Sequence, residues 1–266
     1  QANHTSNARV IELTGGADNN LIQGCVIYSN PAARGVSTSA GIYSGSTNDN
    51  GNMIVGNTIQ NGYYGIYVYG ASTSSLEQGT IIENNTITDF FYYGIYLYYQ
   101  QSPKVRGNVI ENHSSSGVVY GIYSGYCQQE FEAKKNRVKL NATSTTYGHY
   151  VYYCTATSDF FPGQVINNFY TVNTAGTAYG LTLYYSNYQY AFNNSVLVNG
   201  GGTSGRAGYF YYGANNRIIN NLLINLGGGY ATYVSSTPYI VANYNNYFTT
   251  GTNLGYYGSN VTSLSA

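Results

Sequence analysis

A glycine followed by isoleucine and tyrosine returns at intervals along this chain. It stands as Gly41-Ile42-Tyr43, Gly65-Ile66-Tyr67, Gly94-Ile95-Tyr96 and Gly121-Ile122-Tyr123. It then loosens to Gly148-His149-Tyr150, Gly180-Leu181-Thr182 and Gly208-Tyr209-Phe210. The steps are 24, 29, 27, 27, 32 and 28 residues. Self-similarity at this period marks a solenoid, because one repeat cannot bury its own apolar face without a neighbour.

A second series runs between the first. Its anchor is an asparagine: Asn57, Asn85, Asn108, Asn136, Asn168, Asn194, Asn221 and Asn246, with Cys25 in the same slot one coil earlier. Two residues after the anchor come Ile59, Ile87, Ile110, Val138, Tyr170, Val196, Leu223 and Phe248. Three before it come Ile54, Ile82, Val105, Ala133, Val165, Ala191, Ile218 and Asn243. Both columns are mostly aliphatic and their neighbours are mixed, the alternation of short half-buried strands. The asparagine tolerates a left-handed backbone and bonds to nearby main chain, so it marks the bend of each coil. These features predict an all-β chain, a right-handed parallel β-helix of about nine coils, roughly 45 Å long at about 4.8 Å per coil.

The phrases Asn84-Asn85-Thr86-Ile87 and Tyr93-Gly94-Ile95-Tyr96 resemble the parallel β-helix repeats of the pectate-lyase-like superfamily. They are also similar to the repeats of periplasmic copper-site maturation proteins and many bacterial surface proteins. The resemblance covers nearly the whole chain. It implies the fold, whereas function varies, since this architecture hosts polysaccharide lyases, glycosidases, adhesins and passive stalks.

The unbroken repeat makes residues 1–266 one domain, expected to be a segment of a longer secreted or surface protein. Charged residues are 8% of the chain and the formal net charge is zero. Such a surface offers no footprint for nucleic acid or an anionic membrane, and no apolar run reaches bilayer length. The repeat begins almost at once, at Arg9 to Leu13, and Thr252 to Ala266 reads as a fading coil. Neither end carries the amphipathic helix that would cap a solenoid.

Tyrosine is the compositional anomaly: 34 of them, with nine phenylalanines and no tryptophan. Two residues after the repeat glycine stand Tyr43, Tyr67, Tyr96, Tyr123 and Tyr150, with Phe210 further on; four after it stand Tyr69, Tyr98, Tyr152, Tyr184 and Tyr212. Between them Ser44, Val68, Leu97, Ser124, Val151 and Leu183 read as inward, which turns both tyrosine columns outward on one sheet. A third column, Tyr64, Tyr93, Tyr120, Tyr147 and Tyr179, precedes the glycine, and its direction stays open because the glycine could be a bend. Stacked tyrosines stabilise parallel strands, and an outward aromatic face also offers area and hydroxyls to a partner.

Cys127 and Cys154 each lie six residues after a repeat glycine, so they stack on adjacent coils within reach of a disulfide, which would suit an extracytoplasmic compartment. The alternative is two buried thiols. The charges cluster: six of ten basic residues lie between Lys104 and Lys139, and six of ten acidic ones between Glu77 and Glu132. Glu83, Arg106 and Lys134 share one slot on consecutive coils, Lys104 and Glu132 a second, Glu111 and Lys139 a third. This reads as a salt-bridge ladder ahead of a catalytic patch. His149 replaces an inward isoleucine and reads as a satisfied core histidine, while His113 and His4 show no partner. Among the Asn-x-Ser/Thr triplets, Asn84 and Asn193 adjoin the anchors and read as architecture.

The reading is an extracellular or cell-surface rod without catalysis, adhesive or glycan-binding. Its binding face is Tyr43, Tyr67, Tyr69, Tyr96, Tyr98, Tyr123, Tyr150, Tyr152, Tyr184 and Tyr212. The partner is a polysaccharide or cell-surface glycan, or a protein docking on that face; self-association is a further option, and neither a cofactor nor a metal is implied. The rival is a polysaccharide lyase or glycoside hydrolase using Glu83, Arg106 and Lys134. A third reading is a structural stalk or filament subunit.

Overall fold

The computed structural model describes residues 1–45, 47–236 and 239–264. Each coil gives one strand to each of three sheets. The first sheet has twelve strands and collects the repeat-glycine segments, from Arg9–Leu13, Ala40–Gly45 and Tyr64–Tyr69 to Tyr230–Ser235 and Gly255–Tyr257. The second has nine, from Leu21–Gln23 to Val241–Asn243, and the third nine, from Val26–Tyr28 to Asn246–Thr249. Successive coils pair in parallel, so each residue lies over its counterpart: Ile66 over Ile42, Ile95 over Ile66, Ile122 over Ile95.

The anchor asparagines set this register. They line the buried corner between the second and third sheets. The Asn136 carboxamide oxygen accepts from the Asn108 backbone N–H and from Asn108 Nδ2, both at 3.0 Å. Its own Nδ2 donates to the Val105 carbonyl at 2.9 Å and to Asn168 Oδ1 at 3.0 Å. Every carboxamide donor and acceptor is therefore used, as burial requires. The same pattern recurs through Asn57, Asn85, Asn168, Asn194 and Asn221, and the Cys25 N–H donates to Asn57 Oδ1 at the head of the series. The left-handed residue of each bend is the one before the anchor. Gly24, Gly56, Asn84, Gly107, Lys135, Asn167, Asn193, Asn220 and Tyr244 stand there at φ from 56° to 64°.

Inside the coils three aliphatic stacks meet. Ile54, Ile82 and Val105 of the second sheet face Ile59, Ile87 and Ile110 of the third, and Ile66 and Ile95 of the first, all fully buried or nearly so. The repeat glycine sits where the third sheet closes on the first. A Cβ on Gly65 would lie 2.4 Å from an Ile87 methyl and 2.6 Å from the Gly94 carbonyl oxygen. In the earlier coils the slot has no room for a side chain, whereas in the last coils it admits the methyl groups of Ala207 and Ala231, both fully buried.

Two columns run differently from the sequence reading, each by one residue. Gly208 pairs with Leu181, so it occupies the inward isoleucine slot. Phe210 is therefore inward and 1% exposed, and its ring fills the space beside Gly208. Tyr209 and Tyr211 are the outward pair, and Tyr212 falls one place beyond them. Similarly the last anchor is Asn245, whose Oδ1 accepts from the Asn221 N–H at 2.9 Å. Asn246 pairs with Leu222 in the strand, and the inward residues become Ala242 and Tyr247 in place of Asn243 and Phe248. A one-residue slip in a strand exchanges its two faces. The expected fading coil after Thr252 instead folds back: Gly255–Tyr257 turns at Gly258 (φ 69°) into an antiparallel strand, Ser259–Val261. Residues 265 and 266 of that reading lie outside the described residues.

Removing one anchor strands several buried groups at once. Asn136→Ala leaves the Asn108 backbone N–H and one Asn108 Nδ2 proton without their acceptor and removes one of the bonds to the Val105 carbonyl, and is expected to lower unfolding free energy by on the order of 3 kcal/mol. Urea unfolding checks this, with Asn199→Ala, at an exposed strand position, expected within about 0.5 kcal/mol of wild type.

Candidate binding face

Along each strand of the first sheet the repeat glycine breaks the alternation. Gly65 and Ile66 are both buried, while Tyr64 and Tyr67 on either side are both half-buried and outward. The column before the glycine thus joins the other two on one face. In-register pairing then stacks like on like. Tyr43, Tyr67, Tyr96 and Tyr123 have ring centroids 4.6, 5.0 and 5.0 Å apart with planes within 13°. Tyr64, Tyr93, Tyr120, Tyr147 and Tyr179 follow at 5.2, 5.0, 4.6 and 4.7 Å. Tyr69 stacks on Tyr98 at 5.1 Å, and Tyr184 on Tyr211 at 5.0 Å. Between the column before the glycine and the central one the contacts turn edge to face, as in Tyr64–Tyr67 (4.7 Å, 69°) and Tyr93–Tyr96 (4.9 Å, 73°), whereas Tyr67–Tyr69 and Tyr96–Tyr98 stay parallel at 6.0 and 5.8 Å. Both arrangements are favoured by the ring quadrupole when stacks are offset.

The array has interruptions. Thr182 stands in the central column between Tyr150 and Tyr209, and Gly45 and Gly125 in the column beside it. Gly125 leaves room over which the Tyr98 ring leans. Arg206 replaces a tyrosine and lays its guanidinium over Tyr209 and Tyr233 at 4.3 and 4.0 Å, while Arg9 covers the outer face of Tyr43 at 3.5 Å. Ring faces are thus consumed by other rings or by arginine. What remains for a partner is ring edges and phenol hydroxyls. Burial, and then the neighbouring phenols, push the Tyr64 hydroxyl up to about 12 and those of Tyr93, Tyr96 and Tyr123 further, so the hydroxyls stay neutral, able to donate and accept.

A fourth column escaped the sequence reading. Tyr99, Tyr126, Tyr153, Tyr185 and Tyr212 line the edge of this face at the turn toward the second sheet, all left-handed with φ between 44° and 55°. Tyr212 belongs here, stacked on Tyr185 at 4.9 Å. The signal was present as the doublets Tyr98-Tyr99, Tyr152-Tyr153, Tyr184-Tyr185 and Tyr211-Tyr212.

The charge cluster divides between two sheets: Glu83, Lys104, Arg106, Glu132 and Lys134 lie on the second, while Glu111 and Lys139 pair in register on the third. Glu83, Arg106 and Lys134 do share one column, and Lys104 pairs with Glu132 in the next. The ion pairs do not follow the columns, however: Arg106 Nε donates diagonally across coils to Glu132 Oε2 at 2.8 Å, and Lys134 Nζ, two residues on in the strand of Glu132 itself, lies 3.3 Å from the same oxygen. Burial alone would raise the Glu132 carboxyl, but Arg106 and Lys134 hold it below the usual range. Glu83, Lys104, Glu111 and Lys139 form no salt bridge among the described residues. An adjoining cleft is lined by Lys104, Glu130 and Glu132 and by none of the three candidate catalytic residues.

His149 is buried, its ring nitrogens 3.1 Å from Ser124 Oγ and 3.0 Å from Tyr170 Oη, and burial lowers it to about 3. His113 does have a partner, Asp89 Oδ1 at 2.7 Å, and His4 Nδ1 accepts from Ser6. Cys127 and Cys154 are buried on adjacent coils as unbridged thiols; the Cys127 N–H donates to Cys154 Sγ at 3.3 Å. With Cys25 exposed, thiol titration is expected to find one reactive group in the native protein and three after unfolding without reductant. A count of one after unfolding would mean that the pair is bridged.

One buried carboxyl was not singled out in the sequence. Glu77 is fully buried next to Asp49, and its Oε2 has no partner. Burial is the main cause that pushes it up to about 7; hydrogen bonds from Gln100 and Thr80 offset part of this and the Asp49 charge adds to it. Between pH 4.5 and 7 the unfolded chain gives up this proton while the fold keeps it, so stability falls as pH rises through that window. Glu77→Gln is expected to exceed wild type by about 3 kcal/mol above pH 7 and to match it below pH 4.5, read from urea midpoints. His149 acts with the opposite sign, because the unfolded chain takes up a proton below 6.5 that the fold refuses.

Among the described residues no helix is long and apolar enough to cross a membrane, and no three metal-ligating side chains come together. A family model described as a right-handed beta helix region matches residues 3–161. That is more than half of the chain, and the chain belongs to this family: the fold is a right-handed parallel β-helix. No curated protein and no solved structure matches it.

Proposed function

From this membership of the right-handed β-helix family and the geometry of the tyrosine face, we propose that the protein is an extracellular, non-catalytic rod that adheres to a glycan chain lying along its first sheet. The observation that carries the reading is the contiguous, pre-stacked tyrosine array. Eight coil steps at about 4.8 Å and six strand residues at about 3.3 Å give a face of roughly 750 Å². That exceeds the few hundred Å² at which an exposed patch of apolar character marks an interaction site. The rings are already ordered by one another, so a ligand meets little further side-chain entropy cost.

The stacking defines how such a ligand would be held. With ring faces covered, sugars would meet hydroxyls and ring edges, and hydrogen bonding would dominate over face stacking. A polymer along the rod axis would find a similar group in every coil, which favours length and multivalency over tight single-unit recognition. The position of Glu83, Arg106 and Lys134 on another sheet, with two of them committed to Glu132, supports a role in register and solubility.

The test is retention on a panel of immobilised polysaccharides with product release recorded alongside, comparing wild type with Tyr96→Ala/Tyr98→Ala after circular dichroism confirms that the variant is folded. Retention without products, reduced at least about tenfold in the variant, a loss of about 1.4 kcal/mol, is expected. Products that persist in the variant and vanish with Arg106→Ala would make the protein an enzyme and sink this reading. Absence of retention with concentration-dependent association in sedimentation would point to a protein partner, including a second copy.

A further inference from the structure

The edge column of tyrosines has a geometry that the binding role does not require. Tyr126, Tyr153, Tyr185 and Tyr212 stack at 5.2, 4.8 and 4.9 Å, with planes within 10°, 1° and 6° of parallel. Each holds the left-handed backbone that bulky side chains rarely adopt. Repetition at successive coils places each ring as a near translation of the next, so like carbons of Tyr153 and Tyr185 are separated by about the coil spacing, about 4.8 Å. The column also stands at the rim of the face, where Tyr212 is 41% exposed.

This column is connected to the rest of the array. Tyr43, Tyr67, Tyr96, Tyr123, Tyr150 and Tyr184 are linked by ring contacts of 4.6, 5.0, 5.0, 5.5 and 5.9 Å, and Tyr184 meets Tyr185 at 4.9 Å. The chain has no tryptophan and a single methionine. The tyrosines are therefore the main residues from which a one-electron oxidant can draw charge. An electron lost anywhere on the face can be refilled from the next ring until the vacancy reaches the rim.

We propose that the edge column is a site of oxidative modification, in which a one-electron oxidant couples Tyr153 to Tyr185 or Tyr185 to Tyr212 as an intramolecular dityrosine joining adjacent coils. Each phenol gives one electron to the oxidant and one proton to water, leaving a phenoxyl radical. Two radicals join through the ring carbons beside their hydroxyls, and each of those carbons then passes its hydrogen to its own oxygen, restoring both rings. The balance is two electrons to two equivalents of oxidant and two protons to solvent, with one carbon–carbon bond formed. The rim is where this occurs because water is at hand to take the proton. Burial raises the phenol pKa values of the inner columns strongly and disfavours that loss, while Tyr185 at the rim is raised less.

Exposure alone makes a different prediction. Tyr239 and Tyr244 are 81% and 86% exposed and have no stacked ring among the described residues. If accessibility decides, they react first and couple between molecules. The experiment is brief photolysis of dilute protein with ruthenium tris-bipyridyl and persulfate, read by dityrosine fluorescence, intact mass and peptide mapping. Expected is a monomer two hydrogens lighter, with the linked peptides carrying Tyr153–Tyr185 or Tyr185–Tyr212. Tyr153→Phe/Tyr185→Phe keeps the stacked rings but removes the phenols, and is expected to lose this product, whereas Tyr239→Phe keeps it. Dimers joined through Tyr239 or Tyr244 in place of the monomeric product, undiminished fluorescence in the double variant, or absence of dityrosine would each overturn the proposal.

Discussion

The buried asparagine ladder is the interaction on which the rest of this structure depends. A parallel stack of short strands has no intrinsic register, since a strand can slide along its neighbour and find equivalent backbone partners. The carboxamides remove that freedom. Asn85, Asn108, Asn136 and Asn168 each bind the backbone and side chain of the coil before, so a slip by one residue would bury unpaired donors and acceptors. With the corner held, Ile lies over Ile inside and Tyr over Tyr outside.

The tyrosine face is a consequence of that register as much as of composition. Rings can stack at 4.6–5.2 Å only because successive strands are about 4.8 Å apart and aligned. The face is ordered before any partner arrives, and the rings shield one another's flat sides. This gives an amphipathic surface of edges and hydroxyls. At the rim five tyrosines occupy the left-handed bend of the coil, a conformation that the next coil gives to Ser236 and that would cost an isolated residue about 1–2 kcal/mol.

Much of the candidate site was legible because columns repeat. The outward positions of Tyr67, Tyr69, Tyr96 and Tyr98, the slot of Cys25 and the core place of His149 follow from alternation and period. The two columns shifted by one residue have a common origin. Gly208 and Asn246 each have a neighbour able to fill the repeat slot, Ala207 and Asn245, and local pattern cannot choose between them. Packing does choose, because Phe210 needs the room that Gly208 leaves and Tyr247 fits the inward column. The buried Glu77, the diagonal pairing of Arg106 with Glu132 and the pairing of Lys134 with Glu132 along one strand depend on side-chain placement that register alone does not specify.

The amino-acid sequence by itself determined the solenoid, its period and the outward tyrosines, because these rest on spacing and alternation that a linear chain displays directly. Only the tertiary structure decided which of two adjacent residues enters a column, that the residues before the repeat glycine face outward, and that the rings cover one another's faces. Those outcomes are set by contacts between coils some 25 to 30 residues apart. There a fraction of an ångström of space beside a glycine, or one unpaired carboxamide, outweighs any local preference of the chain.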